Sequence, residues 1–494
     1  MNFNISDKKK YIFLSFLFAL SIGQFAFFEE NHVHLLRALA NDEFSKLGDD
    51  WLANQIDHTP LFTIISTLMI NYTSLIGLNV LHIFLSATCS ISIFYICKKN
   101  FSNYDFEKIL FVWFLFLFFI FKEKSFANGV AGQYLLNPAY QPATFGVFIL
   151  SSLALFLYRR DVLAIIFVIL SASIHPTYII QAFFLICGYL IYFLINKDLK
   201  NTFKISLISI IFILPIVYYL FFNFYISDFQ INFKAQSIMA ENRIPDHAMV
   251  SSWFSYKDLQ IILLIFFSLW LMFKEKRLFI PVSFVVFASI ILTIIQYFTS
   301  SNFLGLLFPW RSSVYIVPLC SMIVLSKFLF FLHNIYFVPD SKKSLYLSIF
   351  SFFIIIFLSI DGILETYKSN ISHKKNYEIS NMIKRYDKDI KRILIPTNLK
   401  QIRLNTELPI FVDWKSAPFK NDAVIEWYER IKLTNSFYGS SDYENQKRLF
   451  MNINNIEQIT HILIKDNDKN FLFNDCEYIF KEKGYLFYDL RKCS

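Results

Sequence analysis

Long apolar segments recur along this chain from one end to the other, and short polar stretches separate them. Runs of about 18 or more apolar residues are typical of helices that cross a lipid bilayer. The pattern therefore predicts a polytopic α-helical membrane protein with about eleven transmembrane helices. The predicted spans are 11–28, 76–97, 107–122, 143–158, 161–175, 177–196, 203–225, 258–274, 278–298, 311–332 and 344–360.

The basic residues between the spans predict the orientation. Five clusters fall on one face if the N-terminus lies there too, and that face is the cytoplasm, because short cytoplasmic loops are enriched in Lys and Arg. These clusters lie at 98–99, 159–160, 197–204, 274–277 and 342–343. The outer face then receives segments 29–75, 123–142, 226–257, 299–310 and the tail. Segment 60–71 is too short to span, and we expect a helix in the outer interface there.

The tail after about residue 361 changes character. Short strand-like runs, HILIK and YLFYDL, follow a polar helix-like stretch around DAVIEWYERI. We therefore predict two domains: a membrane domain, 1–360, with a large first outer loop, 29–75, and a small soluble α/β or α+β domain, 361–494. Cys476 and Cys493 of the tail could form a disulfide, although their spacing does not require one.

Composition narrows the function classes. The chain has 494 residues, of which 55% are hydrophobic, and a formal net charge of +9. Most of the basic residues lie in short loops between spans, so the charge is read as a topology signal and no nucleic-acid partner is expected. The sequence contains no CxxC or HExxH pattern, so neither of these motifs predicts a metal site. No internal repeat is visible, which weakens the case for an inverted-repeat transporter.

The first outer loop is rich in acids. Glu29 and Glu30 directly follow the first apolar segment, and Asp49 and Asp50 follow further on. A carboxylate just outside the bilayer can be partly desolvated while it still reaches water, which raises its pKa and makes it a better base. The simpler alternative is that these acids cap a juxtamembrane helix.

The order of features in this loop resembles the first loop of GT-C superfamily glycosyltransferases, which are polytopic enzymes that use lipid-phosphate-linked sugars. The matching elements are Glu29-Glu30, Arg37, Gly48-Asp49-Asp50-Trp51 and Thr59-Pro60-Leu61. The resemblance implies that Glu30, or else Glu29, is the catalytic base, and it implies a multi-pass protein of the bacterial inner membrane. The chain departs from the family in one respect: members commonly carry Asp where both residues here are Glu.

Other polar residues on the predicted outer face are candidates for substrate binding. Arg311 in FPWRSS is suited to a lipid phosphate, because a guanidinium binds phosphate bidentately; the alternative is an interfacial Arg that reaches lipid headgroups. Aromatic and amide side chains in GQYLLNPAYQP suit sugars, or belong to the aromatic belt of the membrane interface. The full set of substrate-binding candidates is Arg311, Arg243, His247, His175, Asp49, Asp50, Arg37, Tyr134 and Gln141.

These features predict an inverting transfer of a sugar from a polyprenyl-phosphate donor to a glycan, lipid or protein acceptor on the outer face. The alternatives are a polysaccharide polymerase or ligase that uses lipid-diphosphate substrates, a transporter or flippase without chemistry, and a non-catalytic assembly or sensor protein. No cofactor is assigned. A divalent cation held by the first-loop acids stays open, because their spacing specifies no coordination geometry.

Overall fold

The computed structural model describes residues 5–24, 34–41, 45–124, 126–337, 341–376, 378–386, 390–466 and 476–492. Helices dominate these residues, and one small sheet lies near the C-terminal end. The helices of the N-terminal half are α1 (Ile5–Ser21), α2 (Leu36–Ala40), α3 (Pro60–Asn100), α4 (Leu110–Glu123), α5 (Val147–Leu157), α6 (Asp161–Ile174), α7 (Ile179–Ile195), α8 (Leu199–Phe224) and α9 (Phe229–Ser237).

The second half continues the helical pattern and adds the strands. Its helices are α10 (Pro245–Ala248), α11 (Val250–Trp253), α12 (Tyr256–Met272), α13 (Lys276–Thr299), α14 (Asn302–Leu306), α15 (Ser313–Leu332), α16 (Ser341–Asn376), α17 (Glu378–Arg385), α18 (Ile402–Thr406), α19 (Asn421–Gly439) and α20 (Tyr443–Ile456). The strands are β1 (Ile393–Leu394), β2 (His461–Lys465), β3 (Tyr478–Glu482) and β4 (Tyr485–Asp489).

Every predicted span overlaps one of these helices, so the prediction of a helical membrane protein with a small C-terminal sheet is confirmed at that level. Within the described residues, six helical stretches are long and apolar enough to cross a bilayer. The number of eleven spans is not confirmed, because helices such as α5 and α6 are shorter. The six stretches are Pro60–Asn100, Pro176–Ile195, Leu199–Phe224, Lys276–Thr299, Asn302–Ile335 and Lys342–Ile371.

Helix α3 joins two segments that the sequence suggested were separate. The backbone leaves helical geometry at Ser74, with φ 59° and ψ −167°. This break falls between the predicted interfacial helix, 60–71, and the predicted span, 76–97. The helix therefore has two parts, which meet at Ser74.

The chain divides into two compact units, and neither is one continuous stretch of sequence. Unit 1 comprises 1–24, 78–219 and 239–367. Unit 2 comprises 25–77, 220–238 and 368–494. The sequence placed a single boundary near residue 360 and assigned the first outer loop to the membrane domain, whereas that loop clusters with the C-terminal region in unit 2.

Unit 1 is built around close packing of α7 on α13. Gly188 makes the approach possible, since a Cβ there would lie only 2.7 Å from the Cα of Pro281. Near the start of α13, the Arg277 Nε donates to the Phe156 carbonyl at 2.9 Å, and its guanidinium also pairs with Asp161. These contacts tie α13 to α5 and α6.

Unit 2 contains the sheet, whose strand order is β1-β2-β4-β3. Strands β1 and β2 are parallel, while β2–β4 and β3–β4 are antiparallel. Lys483 and Gly484 connect β3 to β4 with positive φ at both positions, as a tight two-residue hairpin requires. The core beneath the sheet is aliphatic and aromatic. It comprises Ile383, Ile390, Ile393, Ile395, Ile402, Leu408, Ile410, Leu463, Phe480 and Phe487.

Candidate functional site

A 3-10 turn, Pro309–Ser312, carries Arg311 in unit 1 and leads directly into α15. Two hydrogen bonds hold it in place. The Gln181 Nε2 donates to the Phe308 carbonyl at 2.8 Å, and the Trp310 Nε1 donates to the His247 carbonyl at 3.1 Å. The turn is thus fixed from α7 on one side and from the α10 segment on the other.

Arg311 lies over the ring of Tyr178, with its guanidinium carbon 5.2 Å from the ring centroid. The ring of His175 meets Tyr178 edge-on at 5.4 Å, and the Tyr178 hydroxyl donates to the Ala143 carbonyl at 2.8 Å. Two of the predicted substrate-binding residues, Arg311 and His175, therefore contact the same tyrosine.

Arg311 is a cation without a carboxylate partner among the described residues: none of their acidic oxygens lies within 4.0 Å of it. Its Nε is buried and has no hydrogen-bond partner. A buried guanidinium nitrogen left in this state is costly, so a charged acceptor is a favourable partner for it.

A cavity of about 470 Å³ opens beside the same turn. Its walls are almost entirely apolar and come from the α11 region, α12, α13 and α15. Trp310 and Ser312, the two sequence neighbours of Arg311, both line it. The other lining residues are Val130, Val250, Trp253, Phe254, Ile262, Ile265, Phe266, Val286, Ser289, Ile290, Thr293, Ile294, Tyr297, Ser313 and Ile316.

Three serine hydroxyls that line this cavity are already engaged within the protein. Ser289 and Ser312 share a hydrogen bond of 2.8 Å, and the Ser313 Oγ accepts from the Val130 backbone N–H at 3.0 Å. Since few polar groups remain to bind a polar ligand, the cavity is suited to a hydrocarbon chain.

The remaining unit 1 candidates lie on two other segments, and one of them, His247, contacts the turn. The His247 Nδ1 lies 2.9 Å from the Ala131 carbonyl, and His247 is the residue whose carbonyl holds Trp310. Arg243 ends the π-helical turn Ile238–Arg243 and is partly exposed. Tyr134 and Gln141 are also partly exposed, in the connection between α4 and α5.

The carboxylate of Asp50 is held by hydrogen bonds within unit 2. It is fully buried; one oxygen, Oδ1, accepts from the Leu52 backbone at 2.9 Å. The other, Oδ2, accepts from the Arg403 Nε at 3.0 Å and from the Ile410 backbone at 3.2 Å. Arg403 is also buried and pairs with Asp413. The unit's own donors therefore occupy both oxygens of Asp50.

Arg37 and Asp49, also in the first loop, form hydrogen bonds within unit 2 as well. The Arg37 guanidinium donates to the carbonyls of Gln55, at 3.0 Å, and Ile56, at 3.1 Å. The Asp49 carbonyl accepts from the Arg392 Nη2 at 2.6 Å. These contacts fix the backbone of the loop. The Arg392–Asp49 contact could not be predicted from the sequence, because 343 residues separate the two partners.

The proposed catalytic acids, Glu29 and Glu30, lie outside the described residues. Their relation to any other group stays a prediction. Within the described part of the chain, no cluster of three or more His, Cys, Asp or Glu residues could hold a metal ion.

His58 is a buried histidine that sequence reasoning did not single out. Its ring stacks on Phe419 at 3.4 Å, and it lies 5.9 Å from the ring of His34. Neither ring nitrogen has a hydrogen-bond partner. Burial, and then the positive charges of His34 and Arg37, hold the pKa of His58 well below its usual value of 6.5. The imidazole is therefore neutral at physiological pH.

Comparison with known proteins adds one partial match. Residues 377–434 match a family model described as a domain of unknown function, DUF6798. The match covers α17, β1, α18 and most of α19, which all belong to unit 2. The chain matches no curated protein.

Proposed function

We propose that this chain is a membrane glycosyltransferase that moves a sugar from a polyprenyl-phosphate donor to an acceptor on the outer face of the bacterial inner membrane. The acceptor is a surface glycan, a lipid or a protein. The proposal combines the GT-C-like first loop with the geometry around Arg311.

The observation that carries the proposal is the pairing of an apolar cavity with a cation that has no carboxylate partner among the described residues. Trp310 and Ser312 line the cavity, while Arg311 between them points to Tyr178. A lipid phosphate has the same two parts: a hydrocarbon chain that prefers an apolar wall, and an anion that prefers a guanidinium. A purely apolar ligand would fill the cavity but would give the Arg311 guanidinium no anionic partner.

The disulfide of Cys476 supports the placement of unit 2 on the outer face. Cys476 is disulfide-bonded. Stable disulfides form in oxidising compartments and are rare in the cytosol. This agrees with the orientation predicted from the basic loops.

In the proposed reaction, the acceptor hydroxyl attacks the anomeric carbon of the donor sugar. Glu30, or else Glu29, takes the proton from that hydroxyl as the new C–O bond forms. The bond from the anomeric carbon to the phosphate oxygen breaks, and the lipid phosphate leaves with the bonding electrons. Arg311 stabilises the charge that develops on the phosphate.

The test is mass spectrometry of surface glycans and lipid-linked intermediates in a deletion strain complemented with variants. We expect Glu30→Gln to lower transfer by about 10²–10⁴-fold, as for loss of a general base, and Arg311→Gln by about 10²–10³-fold. Glu444→Gln and Arg160→Gln, both at exposed positions, serve as matched controls and should leave transfer unchanged.

Three results would contradict the proposal. If Glu30→Gln and Glu29→Gln are both folded and fully active, neither glutamate is the catalytic base. Accumulation of single lipid-linked repeat units in the deletion strain indicates a polymerase instead. Transport of a lipid-linked sugar across vesicles without bond formation indicates a flippase.

A further inference from the structure

A second cavity, of about 280 Å³, lies in unit 2, and its walls differ in character from those of the first. Polar and apolar atoms share its surface about equally. The lining residues are Pro396, Thr397, Asn398, Asn435, Tyr438 and Lys465. We call this the sheet-edge pocket.

The position of the pocket follows from the sheet topology. Strands β1 and β2 are parallel neighbours, and their carboxyl ends point the same way. Pro396, Thr397 and Asn398 follow the end of β1, and Lys465 is the last residue of β2. In open α/β sheets, ligand sites commonly lie in the crevice outside the carboxyl ends of parallel strands. The pocket occupies this position, and α19 closes its side with Asn435 and Tyr438.

The polar groups of the pocket are partly committed and partly available. The Thr397 Oγ1 donates to the Asn435 Oδ1 at 2.7 Å, which leaves the Asn435 Nδ2 group to donate to a ligand. The Tyr438 hydroxyl donates to the Leu463 carbonyl at 2.9 Å, so its ring is held in a fixed orientation. The exposed amide of Asn398 can both donate and accept.

Lys465 gives the pocket its charge. It is exposed, and among the described residues no carboxylate lies within 4.0 Å of its ammonium group. The next residue, Asp466, pairs with Lys481 instead. Among the described residues, those that line the pocket include no acid. The field at this site therefore favours an anion.

We propose that the sheet-edge pocket binds a single sugar residue that carries a carboxylate or a phosphate. The Thr397 hydroxyl and the carboxamides of Asn398 and Asn435 can form hydrogen bonds with sugar hydroxyls. The rings of Tyr438 and Pro396 provide an apolar wall, and Lys465 pairs with the anionic group. The volume is just below the range of about 300–1,000 Å³ that is typical of larger ligands, which suits one monosaccharide. This inference goes beyond the proposed transfer reaction and does not depend on it.

The test is ligand binding to the full-length protein in lipid nanodiscs, without any donor lipid. Saturation-transfer NMR titrations with glucuronate, glucose 6-phosphate and glucose would compare anionic and neutral sugars. We expect the two anionic sugars to bind more tightly than glucose. Lys465→Gln should weaken the anionic sugars roughly fivefold, as for an exposed ion pair, and leave glucose unchanged. Asn398→Ala should weaken all three.

Lys391→Gln is the matched control, because Lys391 is an exposed lysine of the same unit outside the pocket. An equal effect of Lys391→Gln and Lys465→Gln would mean non-specific charge attraction and would overturn the proposal. Equal affinity for glucose and the anionic sugars, or no binding at millimolar concentration, would also overturn it. If the protein does not bind these sugars but still transfers its own sugar, only the proposal for this pocket is wrong. If it binds them but has no transfer activity, only the proposed function is wrong.

Discussion

Arg403 and Asp50 form a fully buried ion pair in unit 2, with 3.0 Å between the Arg403 Nε and the Asp50 Oδ2, although 353 residues separate them in the chain. Asp413 completes the cluster on the other side of the guanidinium. Buried charges are tolerated only when their partners are in place. The cluster therefore makes the first loop part of the same folded unit as the C-terminal region.

Asp50→Asn is expected to destabilise unit 2 by about 1–3 kcal/mol, because a neutral carboxamide cannot accept all of the hydrogen bonds that the Asp50 carboxylate accepts from Leu52, Arg403 and Ile410, while Asp413 still neutralises Arg403. Pulse proteolysis of the purified protein across a urea series would measure this. The matched control is Lys384→Gln, which breaks the exposed Lys384–Glu407 pair of the same unit and should cost at most about 1 kcal/mol. Equal costs for the two variants would contradict a structural role for Asp50.

Gly146→Ala is expected to disturb the Arg311 site through Tyr178. A Cβ at position 146 would overlap the Tyr178 phenol ring and hydroxyl, whereas one at Gly439 would meet no atom within 4 Å. We expect Gly146→Ala to cost about 1–3 kcal/mol, as overpacking of a core does. It should also weaken binding of a polyprenyl phosphate. Thermal stability and lipid binding would be compared with Gly439→Ala, which should match the wild type; identical behaviour of the two variants would show that Tyr178 moves without cost.

Ile290→Phe is expected to fill part of the apolar cavity of unit 1 and compete with a lipid chain. Binding of a polyprenyl phosphate should weaken by about tenfold, which corresponds to about 1.4 kcal/mol. The control is Ile291→Phe, since its neighbour Ile291 is 56% exposed and does not line the cavity. Photo-crosslinking with a labelled polyprenyl phosphate would measure both. Equal crosslinking of the two variants would place the lipid elsewhere.

The stability of unit 2 is expected to fall on acidification, and His58 should contribute to the fall. Burial lowers the pKa of His58 in the folded state, so below about pH 6.5 the unfolded chain binds more protons than the folded one. Stability is then lost as the pH falls through the unfolded value toward the folded one. Hydrogen exchange between pH 8 and pH 5 would follow it. His58→Phe should reduce this pH dependence; an unchanged slope would assign the effect to other groups.

Cys476 provides a test of orientation. If unit 2 lies on the outer face, a membrane-impermeant maleimide should label Cys476 in cells with permeabilised outer membranes only after reduction. Cys476→Ser should remove that part of the labelling. Labelling without reduction would mean that the disulfide does not form. Labelling only after the inner membrane is broken would place unit 2 in the cytoplasm.

The helical segments could be predicted because their signal is local. A long apolar run identifies a helix such as α8 or α13 whatever surrounds it, since its backbone hydrogen bonds are made within the segment. The short strands β2 and β4 were also visible as HILIK and YLFYDL. The number of spans was less secure, because α5 and α6 are too short for length alone to decide.

The roles of individual polar residues depended on partners far away in the chain. The sequence alone determined that this is a helical membrane-type chain with a small α/β region at its end, because the length and pattern of apolar residues carry that information. Only the tertiary structure decided that Asp50 is committed to Arg403 and that Arg311 lies over Tyr178 beside an apolar cavity. The physical reason is that a charge is stabilised by whatever lies within a few ångströms of it, and folding alone determines which residues those are.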